Sequence, residues 1–258
     1  MDDLIPLLLT LAASLAVQAV FFAVAATLRT DKVTDLSYGL TFVLLAAWLF
    51  LRHDPAARPQ AVLAALVVLW GLRLAGYLFY RILRMGRDTR FDGVRDHFWK
   101  FLQFWFFQGV VVWAIMIPVT VWFGRPGPWN PAMTAGVLVW AAGLVIETVA
   151  DRQKFRHKTA PGGRDRWVDT GLWRYSRHPN YFGELLCWWG VFLFVLPDLG
   201  WLAPVGLVGP LTITLVLLRL TGIPTLEQSA ARKWGADPAY QAYRRRTRLL
   251  VPWPRGTA

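Results

Sequence analysis

The segment Gly171-Leu172-Trp173-Arg174-Tyr175-Ser176-Arg177-His178-Pro179-Asn180-Tyr181-Phe182-Gly183-Glu184 is the richest stretch of the sequence in side chains that do chemistry. Pro179 suits a first helical position and holds His178 extended before it, so a helix is expected to start here with its unpaired N–H groups exposed. Arg177 beside that start makes an anion site. Asn180 and Glu184 lie four apart and share one helix face, with Trp188 a turn further, while Gly183 leaves room for close approach to the backbone. A carboxylate such as Glu184 is costly inside an apolar span unless it is engaged, by a ligand or by an arginine of a neighbouring helix.

Glu147, Asp151, Lys154 and Lys158 recur at spacings that place them on one helical stripe. Its acids can accept from ribose hydroxyls or a carboxamide, and Lys158, Arg164 and Arg166 can meet phosphates. The same spacing also makes a plain acid–base ladder at a helix end. Arg73, Tyr77 and Arg84 form another face with Tyr80 and Arg81 beside it, running on into Arg87, Asp88 and Arg90. Asp35 and Tyr38 are three apart beside Gly39; such an acid and phenol can hydrogen-bond a substrate carbonyl, and Asp35 can equally cap a helix. Glu227, Arg232, Tyr240, Tyr243, Arg244 and Arg246 form an amphipathic tail, suited to a lid or to a basic helix lying on a membrane.

These side chains need a scaffold, and the composition says which kind. Of 258 residues 55% are hydrophobic and only 17% charged, with 15 Trp and 16 Phe; a soluble domain is nearer a quarter charged. Disorder, collagen-like repeats and a disulfide scaffold are excluded, Cys187 being the one cysteine. Apolar runs of bilayer length at about 4–28, 34–51, 60–83, 101–123, 132–151, 180–197 and 201–221 predict an all-α membrane protein with seven transmembrane helices in a single domain, followed by a cytoplasmic tail over 222–258. The acidic start Met1-Asp2-Asp3 argues that the first run is a helix rather than a signal peptide, although Ala23-Val24-Ala25 mimics a cleavage site. Of the 28 basic residues, 23 fall in the connections that are internal when the N-terminus is outside; Arg52, Arg58 and Arg125 are external. The positive-inside rule therefore predicts the N-terminus out and the C-terminus in. A net charge of +12 calls for anionic lipid or a phosphorylated cofactor, with nucleic acid the weakest candidate. Many of the tryptophans are accounted for by interfacial belts.

No Gly-rich dinucleotide fingerprint or phosphate-binding Walker loop occurs. His53, His97, His157 and His178 include no pair at metal-ligand spacing and no Cys partner, so no metal site is expected. The two halves show no repeat, which weakens a transporter built from inverted repeats.

The sequence resembles the steroid 5α-reductase family, in particular its bacterial relatives with a domain of unknown function, from about Asp31 to Trp253. The resemblance rests on Trp70-Gly71-Leu72-Arg73, on Arg84-Met85-Gly86-Arg87-Asp88, on Asp151 with Lys158, on Gly171 through Glu184, and on Tyr240 through Trp253. It implies a seven-helix fold of the bacterial inner membrane that buries NADPH among the cytoplasmic halves of the helices, below a lipid-accessible cavity for a Δ4-3-oxo steroid. Carried over by motif, Arg84, Arg87, Asp151, Lys158, Asn180, Glu184, Tyr240 and Tyr243 are cofactor contacts. The wider cofactor set expected here adds Tyr80, Asp88, Glu147, Arg164, Trp167, Arg177, His178, Tyr181, Glu227 and Arg244. Family chemistry is hydride transfer to the β-carbon of an enone while an acidic pair polarises the 3-oxo group, which stabilises the developing enolate. The animal enzymes pair a Glu on the second helix with a Tyr on the third. Here the catalytic candidates are Asp35 and Tyr38, with Arg73 and Tyr77 on the third helix.

The Arg-His-Pro-x-Tyr element is similar to that of membrane sterol C=C reductases, and also to that of isoprenylcysteine and phospholipid methyltransferases, which bind S-adenosylmethionine. The surplus of cations favours a cofactor with a pyrophosphate and a 2′-phosphate. A non-catalytic sterol or lipid carrier is the third alternative and predicts no nucleotide affinity. No nucleic acid and no obligate protein partner is expected.

Overall fold

The computed structural model describes residues 4–53, 58–85, 93 and 97–254, and these are helical throughout apart from turns, loops and one isolated bridge. The helices are α1 (Leu4–Thr27), α2 (Thr34–Leu51), α3 (Arg58–Met85), α4 (Phe98–Phe123), α5 (Pro131–Thr159), α6 (Pro179–Leu199), α7 (Ala203–Leu215), α8 (Ile223–Trp234) and α9 (Pro238–Arg246). Six stretches are long and apolar enough to cross a membrane, the last being the run Pro179–Trp234. That run, one of the six, takes in the two segments 180–197 and 201–221 that were expected as separate spans. Within it α6 gives way to a short turn at Gly200–Leu202, and α7 ends in a wider π-type turn, Val216–Leu220. Leu4, Ile5, Leu8, Leu51, Leu69, Leu138 and Leu211 are exposed, an apolar surface that suits lipid and not water.

The chain divides into two compact units. The first comprises 1–137 and 191–212, the second 138–190 and 213–258. In the first, α2 packs chiefly on α3 and α1 on α4. The α2–α3 crossing is tight because both faces lack a side chain. A Cβ on Gly39 would sit 2.8 Å from the Ala75 amide nitrogen and 2.8 Å from the Gly71 carbonyl oxygen, the small-residue geometry by which apolar helices approach without a hydrophobic drive. Around this crossing Phe42, Leu45, Leu63 and Trp70 are buried.

Polar side chains tie α1, α2 and α4 together. Gln18 donates to the Thr41 hydroxyl at 2.8 Å, and Gln108 donates to the Gln18 amide oxygen at 2.9 Å and to the Ser37 hydroxyl at 3.0 Å. Ser14 donates to the Gly109 carbonyl at 2.8 Å. Each of these groups would be costly against lipid, and here each is answered by another helix.

In the second unit α5 and α6 meet the same way. A Cβ on Gly183 would lie 2.6 Å from the Gly143 carbonyl oxygen and 2.6 Å from the Glu147 amide nitrogen. The close approach expected at Gly183 is thus made by the backbone of α5. α5 runs eight residues past the end of the apolar run expected at 151, so the whole acid–base stripe is helical.

Replacing Gly39 by Val forces backbone atoms apart at the α2–α3 crossing, and about 1–3 kcal/mol of stability should be lost. Thermal unfolding in detergent reads this; an unchanged melting temperature would show that the crossing tolerates a side chain.

Candidate functional site

The polar cluster of the second unit is organised by Glu227, half-buried on α8. Its Oε1 lies 2.9 Å from His178 Nε2 and accepts from Arg177 Nε at 3.2 Å. Its Oε2 is 3.1 Å from an Arg177 terminal nitrogen and 3.8 Å from Arg244. Arg177 also donates to the carbonyls of Arg244, at 3.1 Å, and Thr247, at 3.3 Å. The tail is therefore bound to the residues that open α6. The Arg177 amide donates to the Arg248 carbonyl at 2.9 Å, the Arg248 amide to Tyr175 at 3.2 Å, and the Ser176 hydroxyl to Leu250 at 2.7 Å. Ser176 also accepts from the His178 amide at 3.1 Å. The tail is thus paired along its backbone with the segment that opens α6.

His178 is 4% exposed and stacks parallel on Tyr181, with ring centroids 5.8 Å apart. Burial holds its imidazole below the ordinary value; the hydrogen bond to Glu227 pulls upward, and the charges of Lys154 and Arg177 push further down. A neutral ring that gives its Nε2 proton to the carboxylate presents Nδ1 as an acceptor. That Nδ1 is buried and without a partner among the described residues, as is the indole nitrogen of Trp167.

Trp167 packs against both Tyr240 and Tyr243, which also touch each other. Tyr243 donates its hydroxyl to the Trp173 carbonyl at 2.8 Å, and Trp173 in turn donates to the Ala150 carbonyl at 3.0 Å. Burial raises the phenols of both Tyr240 and Tyr243 above their ordinary value, so both stay protonated. Gly171 turns the chain with φ +60 against Gln153, whose amide oxygen accepts from Leu172 at 3.0 Å. Any side chain at Gly171 would be strained twice, by the φ and by Gln153.

Glu147, Asp151 and Glu184 are buried carboxylates, 2%, 5% and 7% exposed. They lie on the two helices joined at Gly143 and Gly183. Asn180 and Tyr181 are half-buried in the first turn of α6, and Arg164 is exposed. Lys158 points at the loop that follows α5: its Nζ donates to the Arg166 carbonyl at 2.9 Å and lies 4.9 Å from the Trp234 ring centroid. The phosphate role expected of Lys158 and the anion site expected at Arg177 thus meet side chains already engaged with the protein.

The first unit holds Asp35, Tyr38, Arg73, Tyr77, Tyr80 and Arg84. Asp35 is not the cap of α2, which is Val33. It takes Arg81 as its partner, with Oδ2 accepting at 3.1 Å, so it stands as an ion-paired carboxylate. The Tyr38 ring packs edge-on against Phe42. Arg73 lies over the Tyr77 ring and Arg84 over the Tyr80 ring, each 5.4 Å from the centroid. Arg87 and Asp88 lie outside the described residues. Gln153 was not picked out from the sequence, and Ser176 and Trp173 stood in the stretch opening at Gly171 without a role of their own. Ser176, two residues before His178, is a serine placed to turn the chain ahead of a helix, a signal that was there to be read.

The family described as a protein of unknown function, DUF1295, matches residues 21–247. The chain belongs to that family, and the match contains every candidate residue named above. No curated protein and no solved structure matches the chain.

His178 takes a proton less readily in the fold than in the unfolded chain. Stability is therefore complete above about pH 6.5 and falls as pH drops below it. Melting temperatures taken from about pH 7.5 to about 5.5 should fall, and the fall should be smaller in His178→Gln; identical slopes would assign the titration to another group.

Proposed function

We propose that this protein is an NADPH-dependent membrane reductase, similar to the steroid 5α-reductase family, that reduces the C=C bond of a Δ4-3-oxo steroid or a comparable lipid enone. The reading includes seven membrane crossings, the N-terminus outside and the cofactor residues facing the cytoplasm. The observation that carries it is the pair of buried polar atoms in the second unit that have no partner among the described residues, His178 Nδ1 and the Trp167 indole nitrogen. Carboxylates accept from ribose hydroxyls, and an imidazole nitrogen accepts from a carboxamide N–H. The Trp167 indole N–H is a buried donor left over for the cofactor's oxygens.

NADPH supplies the hydride when bound. Asn180 and Glu184, on one face of α6, orient its polar groups, and Glu227 fixes the ring of His178 so that Nδ1 keeps one direction. The tail bonds from Arg177 to Arg248 and from Ser176 to Leu250 exclude water from the start of α6. In the first unit Asp35 is paired with Arg81 at 3.1 Å. Asp35 and Tyr38 are the acid and phenol that would hydrogen-bond the substrate carbonyl, with Arg73 and Tyr77 as the next candidates.

One observation favours a second reading, an S-adenosylmethionine-dependent methyltransferase. Lys158 and Arg177 are engaged with carbonyls and with Glu227, while the buried carboxylates suit a cationic sulfonium. Thermal shift in detergent with NADPH, NADH and S-adenosylmethionine separates these: stabilisation by NADPH supports the reductase, and stabilisation by S-adenosylmethionine alone overturns it. Stabilisation by none of the three would favour a carrier.

Two variants test the residues. Glu184→Gln should weaken NADPH about tenfold or more, which is about 1.4 kcal/mol; unchanged affinity removes Glu184 from the site. Asp35→Asn should leave NADPH bound and slow turnover by about 10²-fold, and full turnover would shift the polarising role to Arg73 or Tyr77.

A further inference from the structure

α8 and α9 bury little of their own surface. In α8 only Ile223 is buried, and in α9 only Tyr240 and Tyr243. Helices with so few buried apolar residues open at a lower free energy than the core they lie on. What holds them is a set of bonds to one stretch of chain, residues 164–178. Glu227 takes Arg177 and His178, Trp234 donates to the Asp165 carbonyl at 2.9 Å, Tyr243 donates to the Trp173 carbonyl at 2.8 Å, and Arg246 lies 4.0 Å from the Asp169 carboxylate. The backbone at 248 completes the strap by pairing with that at 176.

The connection to α7 is a corner that can rearrange. In the π-type turn Val216–Leu220 the amides of Thr221 and Gly222 both donate to the Val216 carbonyl, at 3.0 and 3.3 Å. A rotation there trades one of these bonds for the other and leaves the ladders of α7 and α8 intact. Gly222, which precedes α8, has no side chain to brace the corner.

The two buried atoms without a partner lie in side chains that this strap covers. Trp167, with its unpaired indole nitrogen, has Trp234, Tyr240 and Tyr243 of the tail against its ring, at centroid distances of 6.2, 5.1 and 6.2 Å. His178, with its unpaired Nδ1, is held through Nε2 by Glu227. Both residues are under a tenth exposed, so a ligand reaches neither atom while the strap is closed. We propose that the tail from Ile223 to Arg248 is a gate that swings on the π-type turn, opens as one unit to admit a ligand to Trp167 and His178, and closes by remaking the bonds of Glu227 and Arg248. The gate serves the same site as the reductase reading but does not rest on which cofactor that site takes, and its test adds none.

The full chain in a non-ionic detergent is treated at neutral pH with diethyl pyrocarbonate, which acylates an imidazole nitrogen only where it reaches the lone pair. Each histidine is read by mass spectrometry against the exposed His97. His178 should be modified in the folded protein. Asp169→Cys with Arg246→Cys, joined by a reducible bifunctional methanethiosulfonate, pins the far end of α9. Modification of His178 should then slow by about tenfold or more while His97 is unchanged, and reductant should restore it. Hydrogen exchange of the parent protein needs no variant: the amides of Arg177 and Arg248 should exchange at one common rate, faster than those of α5 and α6 at the Gly143–Gly183 crossing. No modification of His178 in the folded protein, equal modification with and without the bridge, or exchange of Arg177 and Arg248 as slow as the crossing would each overturn the proposal. Absence of an NADPH response in the melting experiment would count against the reductase and leave these results standing.

Discussion

An apolar helix in lipid has nowhere outside the protein to place a polar group, and the fold follows from how each such group is answered. Gln18, Ser37, Thr41 and Gln108 answer one another across three helices. Backbone carbonyls do similar work where side chains are missing. At Gly39 and Gly71, and again at Gly143 and Gly183, main chains approach until a methyl group would not fit. These crossings gain dispersion contacts that lipid tails would otherwise supply equally well, so closeness, more than apolarity, is what makes helix pairing favourable.

The same constraint explains why charge gathers around Glu227. A carboxylate that accepts from His178 and from Arg177, and lies near Arg244, can stay ionised while half-buried. In return it sets the direction of His178 and joins the loop before α6 to α8 and the tail. Removing it would leave two arginines without their shared counter-charge and release the imidazole that stacks on Tyr181. The tail is consequently part of the site's construction, because Tyr243 and Thr247 carry bonds to residues 173–177 that nothing nearer in sequence provides.

The spans were legible because hydropathy over about 20 residues reports burial in lipid directly. α2 begins and ends where the sequence reading put it, and α6 starts at Pro179 as the ring of that residue requires. Helical extent beyond the apolar run was not legible in the same way: α5 continues through Asp151, Lys154 and Lys158 because helix formation does not need apolar residues, only a continuous hydrogen-bond ladder. Long-range partners were hidden for a different reason. Arg81 is 46 positions from Asp35 and Glu227 is 49 from His178, and nothing in local spacing selects one arginine or one glutamate from many. Gly183 shows the intermediate case, where the need for close approach was readable but the visitor, Gly143, was not.

Counting cations overstates phosphate affinity, and this bears on which cofactor the site would hold. Lys158 donates to the Arg166 carbonyl and faces Trp234, and Arg177 is divided among Glu227 and two carbonyls. Charge that is already solvated by the protein attracts an anion at long range but must exchange bonds to grip it. The buried carboxylates carry the opposite demand, since Glu147, Asp151 and Glu184 need donors or positive charge close by. The number of cations in the basic loop is therefore a weaker guide to what binds there than the bonds those cations already make.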